Sequence, residues 1–472
     1  MPDRRMERGG GDAHDPATVS LWLETCRDDL SPRPPLVVDT TADVAILGAG
    51  FTGLWTAFHL LRQRPGLRVV VLEREVTGFG ASGRNGGWCS AGFALSPGRV
   101  ARRYGEAAAV DLHRALAASV DAVGRTAAEE GIDCGYVKGG VLRVARGEGQ
   151  LPVLETALGT AAALGIAAGW SILGAAETAR RLRIAGAEGS LFRPDGAVLH
   201  PGRLVRGLAR AVERRGGLIH EGTPVTRVVP GPGPQLETPR AVVRADTVVL
   251  AGEAYLTELR PWHRQLIPVY SLIVVTEPLD DDRWATIGWA GREAVSSTRL
   301  SIDYASRTGD GRICLGGRGA PYRMGSRISA RYDRHPPTHA MLRAMLVDWF
   351  PSLHGVRFTH AWGGPLGVAR DWTPAVTLDR KTGIASARGY AGQGVAAAHL
   401  CGAIVADLTL GTPSPRLALP MVGHRSPDWE PEPLRWLGVR YTQWGLAQAD
   451  RRAQRSGRPP SGRTVAERLG AH

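Results

Sequence analysis

Lysine is almost absent from this sequence: of 58 basic residues in 472, only Lys138 and Lys381 are lysine. The formal charge of +13 and the pI near 10.2 would ordinarily suggest nucleic acid or an anionic membrane. A phosphate-binding groove, however, usually mixes both basic residues, because lysine is a useful point charge for phosphate. Near-total use of arginine reads as a coding bias, and no nucleic-acid partner is expected. Cysteine is scarce too. Cys26, Cys89, Cys134, Cys314 and Cys401 are odd in number, far apart and free of any C-x-x-C. That argues against a disulfide framework or a structural zinc site and fits a reducing, cytoplasmic setting. No H-E-x-x-H occurs, and no metal site is expected. No apolar run reaches the roughly 18 residues of a membrane span, so no transmembrane segment is expected. Arg4-Arg5 precedes no apolar stretch, so an export signal is not expected either, and Met1 to Asp15 reads as a flexible leader.

What is present is globular: 43% hydrophobic and 22% charged residues exclude wholesale disorder, and the 61 glycines follow no G-X-Y period. Asp43-Val44-Ala45-Ile46-Leu47 is a short apolar run of the kind found in buried parallel strands. It ends in Gly48-Ala49-Gly50-Phe51-Thr52-Gly53, followed by a helix with Leu54, Ala57, Phe58 and Leu61 on one face. Arg68 to Glu73 forms a second strand, completing a βαβ unit of about 30 residues. In this G-x-G-x-x-G, Gly48 makes the tight turn and Gly50 lets the backbone approach a pyrophosphate. Gly53, with Ala57, allows close packing of helix on sheet. The helix N-terminus offers free N–H groups and the positive dipole end. Glu73 lies 20 residues beyond Gly53, where an acid accepts hydrogen bonds from ribose. Strand, loop, helix and acid together predict dinucleotide binding, but this unit alone does not separate FAD from NAD.

Further along, 101–129 and 148–183 carry helical patterns, Val137 to Ala145 reads as a strand, and Gly202 to Gly216 is an amphipathic helix. Strands are predicted at 218–220, 225–229, 241–243 and 247–250, with a hairpin at 230–234. Longer strands at 265–277 and 311–316 suggest a second, antiparallel sheet. A helix is predicted at 338–349, and Val395 to Leu408 is a nearly all-apolar helix. Gly389-Tyr390-Ala391-Gly392-Gln393-Gly394 opens that helix. A nicotinamide dehydrogenase needs only one glycine-rich phosphate loop. A second one, placing a helix N-terminus near a flavin ring, would stabilise negative charge at the ring's N1–C2=O edge.

Several separated segments together resemble the D-amino-acid oxidase-like superfamily of FAD-dependent oxidoreductases, which includes glycine and sarcosine oxidases, most closely its gamma-glutamylputrescine oxidase branch. They are Gly78 to Gly87, Leu199-His200-Pro201, Thr223-Pro224-Val225, Val248 to Gly252, Gly363 to Gly367 and Gly389 to Gly394. The resemblance runs from about Trp22 to Thr412. It implies non-covalent FAD as cofactor, contacted by Gly48, Gly50, Phe51, Thr52, Gly53, Glu73 and Arg74 at the first loop. It adds Gly80, Ala81, Ser82, Arg84, Asn85, Gly86 and Gly87 along the flavin, and Val225, Ala251 and Gly252 near adenine and phosphates. Thr373, Gly392, Gln393, Gly394 and Val395 complete the set at the C-terminal segments. Cys89 is expected to be a small buried thiol rather than a covalent flavin link.

The fold class implied is α/β: a Rossmann-type FAD domain with a substrate domain on a mixed or antiparallel sheet. The expected division is a leader and arm at 1–39, FAD-binding segments at 40–130, 190–258 and 355–412, substrate-domain segments at 131–189 and 259–354, and a basic tail at 413–472. The expected reaction is oxidation of a small amine or amino acid by hydride transfer to the flavin, with oxygen as acceptor and hydrogen peroxide as product. Tyr270, Arg318 and Trp372 are the catalytic candidates, with Tyr322 a further pocket residue, because an arginine can hold a substrate carboxylate bidentately. Sarcosine-oxidase-like members use a lysine near the flavin for oxygen reduction, and neither lysine here can be assigned that role. The alternatives are a dehydrogenase feeding a quinone or carrier protein, and a non-catalytic flavin-binding protein. Trp429, Trp436 and Trp444, with Leu434 and Leu437, are expected to pack back on the domain.

Overall fold

Thr40–Leu47 is the strand on which the molecule is organised. The computed structural model describes residues 15–147, 149–456, 459–460 and 462–470, so most of the expected leader lies outside the described residues. Thr40–Leu47 pairs in parallel with Val69–Leu72 on one side and Val242–Leu250 on the other. The sheet extends to Leu218–His220 at one end and, through Ile384–Arg388, to Ala375–Asp379 at the other. Arg227–Val229 and Gln235–Glu237 form a hairpin added to Val242–Leu250. Val69–Leu72 is buried throughout, as a parallel strand covered on both faces must be.

Two helices pack on this sheet and on each other. Phe51–Gln63 is almost wholly buried and crosses Gly394–Leu410 closely. A Cβ on Gly402 would come within 2.7 Å of Trp55 Cβ, so only glycine permits this approach. His59 and His399 fill the same crossing around Trp55, and burial drives both imidazoles toward their neutral forms.

The second sheet runs Phe358–Val368, Ile267–Thr276, Ile313–Arg318, Asp303–Arg307, Ala294–Ser297, Val141–Arg146, Ala187–Arg193 and Ser171–Gly174. All neighbours are antiparallel except Ala294–Ser297 with Val141–Arg146. One face packs Leu272, Val274, Leu315 and Leu142 against the helix Pro336–Trp349. The other faces the first sheet, with the short helix Leu21–Glu24 inserted between: Trp22 Nε1 donates to the Asn85 carbonyl at 2.7 Å.

Three expectations are corrected. Phe358–Val368, inside the expected FAD-binding segment 355–412, does not join the first sheet: it pairs along the whole of Ile267–Thr276 and forms the edge of the second. The expected boundary at 189/190 cuts through Ala187–Arg193, one continuous strand of the second sheet. Residues 148–183 are not all helical: Ser171–Gly174 pairs with Ala187–Arg193 between the helices Leu151–Ala163 and Ala175–Arg181.

The tail divides. Trp429 is buried and its Nε1 donates to the Val368 carbonyl at 2.9 Å. The helix Leu434–Ser456 buries Arg435, Val439 and Asp450 but turns Leu434, Leu437, Tyr441 and Trp444 to solvent. No helix among the described residues is long and apolar enough to cross a membrane.

Candidate functional site

Parallel register brings Leu47, Leu72 and Leu250 level at one end of the first sheet, so the turns that follow them converge there. The Gly48 amide donates to the Leu72 carbonyl at 2.8 Å and the Ala251 amide to the Leu47 carbonyl at 2.9 Å. Gly48 has φ +102°, and a Cβ there would lie 2.9 Å from the Ala251 oxygen, so the turn requires glycine twice over. Gly53 has no room at all: its Cβ would lie 2.0 Å from the Gly48 oxygen. Gly50 caps the helix Phe51–Gln63 without any side-chain cap bond, leaving the helix dipole end open to a cavity of about 700 Å³.

That cavity is where the expected cofactor contacts meet. All of them line it except Gly53, Gly87 and Thr373. Gly53 is consumed by helix–sheet packing. Gly87 (φ +77°) is pinned on Leu199, whose amide donates to its carbonyl at 2.8 Å. Thr373 is fully buried and its Oγ1 accepts from Arg103 Nη1 at 3.1 Å. Ser82 Oγ accepts the Phe51 amide at 2.7 Å, tying the loop 78–87 to the helix start. Thr52 Oγ1 and the Tyr390 hydroxyl lie 3.0 Å apart, linking the first glycine loop to the second.

Glu73 accepts hydrogen bonds from the Ala49 amide at 2.8 Å and the Glu75 amide at 3.0 Å, while burial raises its pKa. Its carboxylate therefore shapes the glycine turn as well as lining the cavity. Glu73→Ala is expected to weaken FAD binding about 10-fold, roughly 1.4 kcal/mol, with the fold retained. Flavin-to-protein absorbance ratios on serial dilution measure it; unchanged occupancy would remove Glu73 from the site. Arg74 reaches outward to Glu258 at 2.8 Å and lies over the Tyr255 ring. Arg84 is buried and spends its guanidinium on the Phe79 carbonyl, Asp333 and the Gly363 carbonyl at 2.7, 2.6 and 3.2 Å. Its role is to lock the loop 78–87 onto the second sheet's edge.

Glu253 went unread in the sequence. It follows the Ala251-Gly252 turn, lines the cavity, and accepts the Gly389 amide at 2.9 Å and the Tyr390 amide at 3.3 Å. Burial pushes its pKa from 4.5 up to about 7, against the pull of those amides and Arg388. The folded state therefore binds this proton more tightly than the unfolded chain, so stability from this group falls as pH rises between about 4.5 and 7. Glu253→Gln is expected to flatten the pH dependence of Tm over that interval; an unchanged slope would count against it.

The catalytic candidates separate. Arg318 lines this cavity and a second one of about 1150 Å³, as do Ser297 and Arg299. Its Nη2 donates to the Ala391 carbonyl at 2.7 Å and its guanidinium lies 5.7 Å from the Trp372 ring. Trp372 (φ +60°) lines the second cavity. Tyr270 does not join them. Strand alternation turns Ser271 toward the cofactor side and Tyr270 to the opposite face, where its hydroxyl accepts the Ser329 amide at 3.2 Å. Tyr322 is buried under the tail, its hydroxyl donating to Glu432 at 3.1 Å. Cys89 is buried, its thiol pKa raised by burial, and all five cysteines are free. Asp450, on the tail helix, is another residue unread in the sequence: it accepts the Leu300 and Ser301 amides at 2.8 and 2.9 Å and holds the loop carrying Arg299.

A glycine cradle at converging parallel strand ends, two helix N-termini and a sheet-lined chamber beside them make a site for a dinucleotide. The family model described as DAO, FAD dependent oxidoreductase, matches residues 43–408, and the chain belongs to that family. It is similar to the gamma-glutamylputrescine oxidoreductase of Escherichia coli (strain K12), 30% identical over 400 residues covering 83% of this chain and 89% of the relative. A probable oxidoreductase, OrdL, of Haemophilus influenzae is 29% identical over 387 residues, 80% of this chain and 85% of the relative. Among solved structures, glycine oxidase from Geobacillus kaustophilus superposes with a TM-score of 0.68 at 22% identity, covering 82% of this chain and all of that one. L-Proline dehydrogenase from P. horikoshii gives 0.67 at 18%, covering 81% and 96%. These structures share the fold.

Proposed function

We propose that this protein is an FAD-dependent oxidase of a small amine or amino acid, holding FAD without a covalent bond. The observation that carries the reading is Arg318, which lines both the cofactor cavity and the adjoining chamber. The donor set fits the cofactor: main-chain amides at two helix starts for the pyrophosphate and ring edge, and Glu73 for ribose. When bound, the flavin supplies the hydride acceptor. Arg318 is placed to pair with a substrate carboxylate, and Trp372 to limit how the substrate lies, so that the C–H bond beside nitrogen meets the ring in one orientation. The amine reacts in its neutral form, which needs no protein base; the resulting imine hydrolyses to a carbonyl compound and an amine. Oxygen as acceptor, with peroxide as product, follows the family reading, and the five free cysteines fit a reducing cytoplasm.

One observation favours a second acceptor. Neither lysine lines the cavity: Lys138 pairs with Asp121, and Lys381 lies in an exposed turn. An enzyme passing electrons to a quinone or carrier is the alternative, with the exposed stripe Leu434, Leu437, Tyr441 and Trp444 as a contact surface. The test is anaerobic bleaching of the bound flavin across amines, polyamine derivatives and amino acids, followed by admission of air. Bleaching with stoichiometric peroxide supports the oxidase. Bleaching reversed only by artificial acceptors selects the alternative, and no bleaching by any amine sinks both.

A further inference from the structure

Two arginines on the second sheet, Arg143 and Arg193, take no part in the proposed reaction. Val141 stands opposite Arg193, and Arg143 opposite Ser296, in the strand register. Side-chain alternation therefore turns Arg143 and Arg193 to one face, together with Ser296, Tyr304 and Arg318. This is the face that closes over the cofactor side, and both arginines line the cavity there. The opposite face is apolar and occupied by the helix Pro336–Trp349.

Neither arginine meets an acid. Arg143 Nε donates to the Ser297 carbonyl at 3.3 Å, and the Arg193 guanidinium lies 5.1 Å from the Trp170 ring centroid. No ion pair among the described residues includes either. The carboxylates nearby are already engaged: Asp303 accepts from the Ser297 amide and hydroxyl at 2.7 and 2.6 Å, and Asp195 accepts from Trp170 at 3.2 Å beside His113. Burial, and then the charge of Arg143, press the Arg193 pKa down to about 10, and burial lowers that of Arg143. Asp303 and Asp195 act on the pair only at a distance, so two half-buried guanidinium groups side by side, neither in an ion pair, are costly, and an arriving anion relieves that cost.

We propose that Arg143 and Arg193 form a second anion subsite, so that the substrate carries an acidic group remote from the nitrogen being oxidised. Arg318 marks the near anchor. Three strand spacings separate its strand from that of Arg143, about 14 Å, so the ligand class is an elongated amino compound with carboxylates at both ends. The proposal rests on the amine-oxidation reading only for the identity of the near end. Its test needs no turnover.

Glutarate, adipate and suberate are titrated into the flavin-loaded protein and followed by the flavin difference spectrum and by calorimetry, beside hexanoate and monomethyl adipate. At least one diacid is expected to bind about 10-fold or more tighter than the monoacids. Arg143→Gln and Arg193→Gln are expected to erase that preference while FAD occupancy is kept, and Arg193→Lys to restore part of it. Equal affinity of diacids and monoacids for the unaltered protein, which requires no variant to fold, would overturn the proposal. So would a loss of FAD affinity in the glutamine variants with the diacid preference intact, which would assign the pair to the cofactor. Flavin bleaching by amines alongside a failed diacid preference leaves the oxidase reading standing; a diacid preference without bleaching by any amine does the reverse.

Discussion

Gly50→Val is expected to give a folded, colourless protein. Gly50 has φ −84°, so its backbone tolerates a side chain. A Cβ there would sit 3.0 Å from Ser82 Oγ, and valine's two methyls would fill the cradle below the helix start. FAD affinity should fall by at least about 1,000-fold, roughly 4 kcal/mol at 1.4 kcal/mol per decade. The check is flavin content of the purified protein, with circular dichroism and a thermal melt to show that the fold persists. Normal occupancy in a folded variant would remove the first glycine loop from cofactor binding. Gly53→Val makes the contrast. Its Cβ would lie 2.0 Å from a backbone oxygen, so that variant is expected to lose the fold itself rather than the cofactor alone.

Arg318→Met is the second large effect, and it should spare the cofactor. Methionine keeps much of the side chain's apolar stem and removes the fork that pairs with a carboxylate. For an amino-acid substrate, kcat/KM is expected to fall about 100- to 1,000-fold, roughly 3–4 kcal/mol, while FAD occupancy stays near one. A matched amine without the carboxylate should lose far less. Equal losses on both substrates would show that Arg318 supports the site structurally, through the Ala391 carbonyl and the Trp372 ring, rather than reading the substrate.

The first βαβ unit was legible in the sequence for physical reasons that act over short distances. A run of apolar residues buried on both faces, a glycine turn and a helix start each leave a local signature, and the acid at 73 follows at fixed spacing. The second glycine loop and its apolar helix were legible on the same grounds. The side to which Tyr270 turns is not legible because Ile267–Thr276 is buried on nearly every residue, so no polar alternation reveals which side chains face which side. The place of Phe358–Val368 in the second sheet is not legible, because its partner lies about 90 residues earlier in the chain, and pairing at that distance has no local sign.

The residues that went unread share one property: their type is unremarkable in this composition. Glu253 is a lone acid after a turn, and only the approach of the Gly389 and Tyr390 amides makes it a cavity group. Asp450 lies on a helix beyond the recognisable domains, and its hold on the Arg299 loop exists only because that helix folds back. Arg143 and Arg193 could not stand out where nearly every basic residue is arginine.

By itself, then, the sequence determined that this chain builds a dinucleotide fold with two glycine-rich helix starts, because backbone turns, helix dipoles and strand burial are written in neighbouring residues. Which side chains face the chamber, which acids are buried beside it and which arginines are left outside any ion pair were decided by the pairing of distant strands and the return of the tail. Those are properties of register and packing, and they come into being only when the second sheet closes over the first.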